Sequence, residues 1–188
     1  MDPEDIIVRQ AIDNDKQYAN EISRETYISA KERGTGISER SPEFINSKIE
    51  NGKAIIAVTK QGEWAGFCYL EIWANGDFIS HSGMIVAHQF RHEGVATRLK
   101  QLVFDVSRER FPNAKLFSIT TGLAIMRMNT ALGFEPVTFD EIKVNAGFWE
   151  GCKTCVNYGI LHGKNFHHCL CTAMVFNPIT NTGKPEHV

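Results

Sequence analysis

Three apolar runs cut by two turn dipeptides constrain this chain more than any other feature. Ala54–Thr59, Trp64–Trp73 and Phe78–Val86 are rich in β-branched and aromatic residues, and Gln61-Gly62 and Asn75-Gly76 fall between them. Such residues suit a pleated, buried surface, and a glycine-containing dipeptide between two of these runs turns the chain back on itself. The prediction is an antiparallel meander. Helical patterns surround it. Ile6-Ile7-Val8 reads as a short opening strand, and Asp13 to Arg33 as a helix with Tyr18, Ile22 and Thr26 on one side, ending at Gly34. A second helix is capped by Ser41, started by Pro42, given an apolar face by Phe44, Ile45 and Ile49, and stopped by Gly52.

The longest helix is expected from about Gly94 to Phe111, with Val95, Leu99, Leu102, Val103 and Val106 inward. Arg98, Lys100, Asp105 and Arg108 are assigned to the rest of its circumference. Leu116–Thr120 follows as a strand, Ala124–Leu132 as a helix closing at Gly133, and Phe134–Phe139 and Leu170–Phe176 as further strands. The tail from Pro178, rich in Pro, Gly, Asn and Thr, reads as mobile. Helices, then a meander, then alternating strand and helix over one sheet make an α+β fold.

The 188 residues, 43% of them hydrophobic, are enough for one core. Twenty Lys and Arg against 22 Asp and Glu leave a formal charge of −2, which argues against a nucleic-acid binder. No apolar run approaches the roughly 20 residues of a membrane span. The acidic start Met1-Asp2-Pro3-Glu4-Asp5 is unlike a signal peptide, so a cytoplasmic, reducing location is expected. In that setting the five Cys read as free thiols or metal ligands.

Chemistry concentrates where the third run of the meander feeds the long helix. Gly83 to Ala96 is strand, loop and helix start, and a helix start offers unpaired N–H groups and a positive dipole end to a phosphate. Gly94 would let such a ligand approach the backbone, and Arg91, Arg98 and Lys100 are placed to add charge. The alternative is an ordinary strand–loop–helix connection with a solvated basic turn.

Arg91-x-x-Gly94-x-Ala96 after an apolar strand resembles the Arg/Gln-x-x-Gly-x-Gly/Ala loop of the GNAT N-acetyltransferases, and Leu132-Gly133-Phe134 resembles a second motif of that family. The resemblance runs from Ile6 to Phe139 and implies an acyl-CoA-dependent acyltransferase. It implies that Met84, Ile85 and Val86 pair with the pantetheine arm of the cofactor. It implies also that amides of Arg91, His92, Glu93, Gly94, Val95, Ala96 and Thr97 cradle the pyrophosphate. On this reading residues 1–140 are the acyl-CoA-binding core, 141–177 a Cys-rich segment packed on the same domain, and 178–188 a flexible tail.

Acyl transfer from a thioester needs an amine freed of its proton and a hydrogen bond to the tetrahedral oxyanion. A backbone N–H near Val86 is the candidate donor, and Glu71 and His81 are the candidate bases. Where many relatives carry a Tyr as acid for the leaving thiolate, this chain has Asn129.

Gly34-Thr35-Gly36-Ile37-Ser38-Glu39-Arg40-Ser41 and Phe148-Trp149-Glu150-Gly151-Cys152-Lys153-Thr154-Cys155-Val156-Asn157-Tyr158 are similar to segments of N-acetylglutamate synthases and of arginine-biosynthesis-associated GNAT proteins. That similarity implies a small amino acid as acceptor, glutamate or an arginine-pathway amine, with Arg40 on a carboxylate. A guanidinium fork suits a carboxylate in a way Lys cannot reproduce. Another small-molecule or protein amine, and a non-catalytic CoA- or metal-binding regulatory module, are the alternatives. The reading leaves a homodimer open. Cys152-x-x-Cys155 and Cys169-x-Cys171, with 13 residues between the pairs, can form a tetrahedral zinc site, with His162, His167 and His168 in reserve. Buried thiols are the alternative there.

Overall fold

The computed structural model describes residues 5–34, 40–144 and 146–181. Seven strands form one sheet: β1 (Ile6–Gln10), β2 (Ala54–Thr59), β3 (Trp64–Trp73), β4 (Phe78–Val86), β5 (Lys115–Thr120), β6 (Glu135–Val137) and β7 (Thr172–Phe176). Their order is β1-β2-β3-β4-β5-β7-β6. The three meander strands begin and end at the residues the turn signals delimit. Ala74, Asn75 and Gly76 all take positive φ in the β3–β4 turn, which explains the Asn-Gly pair there. Every pairing is antiparallel except β4 with β5.

Helices α1 (Ala19–Arg33) and α2 (Pro42–Glu50) precede the meander, and α3 (Val95–Arg110) and α4 (Leu123–Ala131) alternate with the later strands. Two short helices, α5 (Ala146–Glu150) and α6 (Tyr158–Gly163), lie in the Cys-rich segment. The Ser41 side chain accepts from Phe44 N–H at 3.2 Å, and Pro42 occupies the first turn of α2. Gly34 ends α1 in the left-handed conformation. The main core lies between β1–β4 and helices α1 to α3, and a second cluster gathers Phe78, Phe117, Phe139, Leu161 and Cys169 under the C-terminal segment. Among the described residues no helix is long and apolar enough to cross a membrane.

Two expectations are corrected. The strand expected over Phe134–Phe139 is only Glu135–Val137 at the sheet edge, because Pro136 fits an edge and Thr138 begins a tight turn closed by Glu141. The polar side of α3 does not include Lys100, which is 2% exposed. Residues 178–181 form a held turn: Asn181 N–H donates to Asn177 O at 3.2 Å and its side-chain amide to Gly133 O at 3.2 Å. The rest of the expected mobile tail lies outside the described residues.

Candidate active site

Strands β4 and β5 pair only over Phe78–Ser80 with Lys115–Phe117. Beyond Ser80, β4 continues to Val86 against β3, while β5 continues to Thr120 against β7. The two strands therefore part in a V. The β4 backbone from His81 to Val86 has no strand on its β5 side, which leaves main-chain donors and acceptors for an extended ligand. A bulge accompanies the opening, since Phe67 faces Ile85 but Tyr69 faces Ser82. Gly83 makes it possible. Its φ is +64°, and a Cβ there would sit 2.4 Å from Tyr69 Cε1.

The V leads into the loop ahead of α3. His92 and Gly94 both have positive φ, and Gly94 is the N-cap of α3 without a side-chain cap. No acidic residue stands in the first turn of α3, and nothing lies within 4 Å of where a Gly94 Cβ would project. The helix start thus offers open amides and an unopposed dipole end. Helix α3 reaches this position by close packing on β3, where a Cβ on Gly66 would be 2.8 Å from Leu99 Cδ1.

The expected basic side chains are used elsewhere. Arg91 donates to Glu25 of α1 at 2.7 Å and to Val86 O at 3.4 Å, so it ties the loop down. Arg98 donates to Ile6 O at 2.8 Å. Lys100 is buried beside His81. Anion binding at this loop would rest on backbone amides.

The register of β3 and β4 places Tyr69, Glu71 and Trp73 on one face with Ser80 and Ser82, directly opposite partners sharing a face. Above that face stand Arg40, Phe44 and Lys48. Arg40 Nε donates to Tyr69 OH at 3.0 Å and its guanidinium lies 5.1 Å from the Phe44 ring centre. Thr35 to Glu39, which share the segment of Arg40, lie outside the described residues. Lys48 and Lys53 both clasp the Glu71 carboxylate. Burial alone would raise the Glu71 pKa, but the two ammonium groups outweigh it and hold the carboxyl below its usual range. Trp73 Nε1 donates to Ser80 Oγ at 3.0 Å, and Phe148 packs edge-on against Trp73 with ring centres 5.3 Å apart. Among the described residues on this side, Lys48 and Lys53 pair with Glu71 while Arg40 bonds the neutral Tyr69, which makes three cations to one carboxylate.

His81 points to the opposite face. Lys100 Nζ donates to His81 Nδ1 at 3.0 Å, and His81 Nε2 lies 3.0 Å from Ser107 Oγ. Ser107 gives its own proton to Val103 O at 2.7 Å, which assigns the ring N–H to Nε2. Burial, then the neighbouring Lys100, keeps the His81 pKa well below 6.5. Asn129 is 0% exposed and its amide donates to Met174 Sδ at 3.6 Å, on β7 rather than toward the V. The structure thus separates the three catalytic candidates. Glu71 stands on the Tyr69–Ser82 face but is paired with two lysines, and His81 and Asn129 are enclosed on the other side of the sheet or beside β7.

Tyr69, Trp73, Ser82 and Lys48 were missed in the sequence. The signal available was the i, i+2 alternation of Tyr69, Glu71 and Trp73, whose meaning depends on which face α2 covers. Cys152 and Cys171 are half-buried and Cys169 is buried. Burial, then neighbouring thiols, pushes Cys152 up to about 11 and Cys171 up to about 12, so neither is a reactive thiolate. Cys152 lies close enough to Arg40 to feel its charge.

This splayed α+β sheet with its glycine-started helix is the fold of the GNAT acetyltransferases. N-acetylglutamate synthase from Neisseria gonorrhoeae, complexed with coenzyme A and N-acetyl-glutamate, matches with a TM-score of 0.63 at 19% identity. That match covers 92% of this chain and 35% of the synthase, so the chain spans about a third of that protein's length. A GNAT superfamily phosphinothricin acetyltransferase from Sinorhizobium meliloti, in complex with AcCoA, matches with a TM-score of 0.63 at 14% identity over 97% of this chain and 94% of that one. An acetyltransferase of the GNAT family from Staphylococcus aureus Mu50 gives 0.63 at 13% identity, over 92% and 99%. No family model and no curated protein matches the sequence.

Proposed function

We propose that this protein is an acyl-CoA-dependent N-acyltransferase acting on the amine of a small, carboxylate-bearing acceptor, with glutamate or an arginine-pathway amine as the leading candidates. The observation that carries the reading is the parting of β4 from β5 beyond Ser80, next to an uncapped helix start. The pantetheine arm would lie along Met84, Ile85 and Val86, and the pyrophosphate against the amides from Arg91 to Thr97. Acetyl-CoA would bring its thioester into the V, where a main-chain N–H of the open strand meets the oxyanion. The CoA complexes of the synthase and of the phosphinothricin enzyme support this use of the fold.

The acceptor would enter from the Tyr69–Ser82 face. Arg40 and Lys48 supply charge for its carboxylate, and the Tyr69 hydroxyl fixes the guanidinium plane. Glu71 acts here as the anchor of Lys48 and Lys53, not as the base. Deprotonation would pass through water in the V. Cytoplasmic action on a free metabolite accompanies the reading.

A second reading, a CoA-binding module without turnover, is favoured by one observation: the buried amide of Asn129 offers no acidic proton to a leaving thiolate. Kinetics on Arg40→Ala separate the two. A charge-assisted hydrogen bond is worth about 1.5–3 kcal/mol, or roughly ten- to 150-fold in kcat/KM. The variant should lose that factor for the acceptor and keep its CoA affinity. Amidating the acceptor carboxylate should cost the parent a similar factor and the variant almost nothing. Tight CoA binding with no thiol released under any amine would establish the module instead.

A further inference from the structure

The chemistry of the V leaves the four cysteines of the C-terminal segment unused. Cys152 and Cys155 share a tight turn closed by Cys155 N–H donating to Cys152 O at 2.9 Å. The next amide but one, Asn157 N–H, points at Cys155 Sγ at 3.4 Å. An N–H aimed at sulfur is the outer support that a thiolate metal ligand needs. Cys169 and Cys171 stand at the entry to β7, and Cys152 and Cys171 pack against the hydrophobic cluster that contains Cys169. Cys171 lies within electrostatic reach of Cys152, Cys155 and Cys169, and Cys152 within reach of Cys155 and Cys169. Two sequence-distant pairs are thus brought to one place.

We propose that Cys152, Cys155, Cys169 and Cys171 bind one zinc ion as a closed tetrathiolate that pins residues 146–171 against the sheet. Four soft sulfur donors with no spare position are the ligand set of a structural zinc. The segment also needs a staple. Its helices have five and six residues, far below the roughly 12–15 at which an isolated helix becomes even marginal. Its packing is the second hydrophobic cluster around Phe117 and Phe139, in which Trp149 stacks on Phe139 with ring centres 5.7 Å apart. Two of the three reserve histidines are otherwise engaged: His167 bonds Asp140, and His162 packs against Tyr158 and Phe166. Among the described residues no three His, Cys, Asp or Glu side chains already stand at ligating separation. Binding therefore draws the sulfurs in to about 2.3 Å from the ion and releases their protons. Cys152, Cys155 and Cys171 are half-buried rather than enclosed in the core.

The site does not depend on the acyltransferase reading, and its readouts are metal content and stability. The full chain, purified without added chelator, should carry stoichiometric zinc by elemental analysis. Removing it with a chelator should lower Tm, and restoring zinc should recover it. Cobalt in place of zinc should give the intense thiolate-to-metal absorption of sulfur ligation. Cys155→Ser and Cys171→Ser should weaken zinc binding roughly tenfold or more, while Cys68→Ala, outside the cluster, should keep full zinc content. Should either serine variant fail to fold, the cobalt spectrum of the parent decides. A chain free of metal whose Tm zinc does not move, a cobalt spectrum without thiolate absorption, or iron in place of zinc would each overturn the proposal.

Discussion

Lys100 offers a test that depends on the fold alone. Its ammonium is enclosed by α3, β4 and the Phe134 ring, whose centre lies 4.7 Å from Nζ. Burial lowers its pKa from 10.5 to about 7, although the ring face favours the charged form. Between about pH 7 and 10.5 the unfolded chain holds this proton and the folded one does not. Folding stability therefore rises with pH across that window, with a limiting slope of about 1.4 kcal/mol per unit. Below pH 7 both states are protonated and the stabilisation is absent. In the folded protein neither neighbour titrates inside the window, since Cys68 is pushed up to about 12 by burial and His81 is held well below 6.5. The opposing slope that Cys68 adds above its ordinary thiol range is common to parent and variant. From about pH 7.5 to 9.5 the parent should gain about 2 kcal/mol relative to Lys100→Met, which replaces the amine with a side chain of similar length. Urea unfolding of both proteins at the two pH values reads this as a double difference. Parallel profiles would mean that Lys100 keeps an ordinary pKa and that the buried chain from Lys100 through His81 to Ser107 is wrongly described.

Gly94→Trp should block CoA binding by calorimetry yet leave a folded protein, since the space ahead of Gly94 is open and the left-handed φ costs only about 1–2 kcal/mol; unchanged affinity would move the pyrophosphate elsewhere. Gly83→Ala should lose about 2 kcal/mol or more in urea unfolding and raise the acceptor KM, because its Cβ would displace the Tyr69 ring that holds Arg40. Glu71→Gln should cost roughly 1 kcal/mol at neutral pH, allowing for solvent screening of this half-buried site. The carboxylate contributes above its unfolded pKa and is lost as pH falls through the lowered folded one, so the variant should lose less stability on acidification than the parent. Its acceptor KM should rise while the pH–rate profile keeps its shape; a lost acidic limb would make Glu71 the base after all.

The meander was legible because its first two runs are apolar nearly throughout, its third begins and ends apolar, and its turns carry Gly76 and Gly62 at positive φ. Helix α3 was legible from its 3.6-residue period and Pro112. Lys100 was not, since a long cationic side chain at a polar-looking position reads as surface until Phe134, His81 and Cys68 close around it. Arg91 and Arg98 misled for a related reason: Glu25 and the Ile6 carbonyl, 66 and 92 residues away, claim them. The V between β4 and β5 depends on where a parallel pairing stops, which no local pattern encodes. The face proposed for the acceptor depends on the Tyr69↔Ser82 register, which the bulge at Gly83 sets.

Thiol release from acetyl-CoA, measured for the parent protein against a panel of amines, tests the central claim most directly. Amino acids with free carboxylates, glutamate and its relatives among them, should drive release, and their carboxamide counterparts should do so ten- to 150-fold less well. Release that no amine stimulates, from protein that binds CoA tightly, would contradict an acyltransferase and leave a CoA-binding module with this fold.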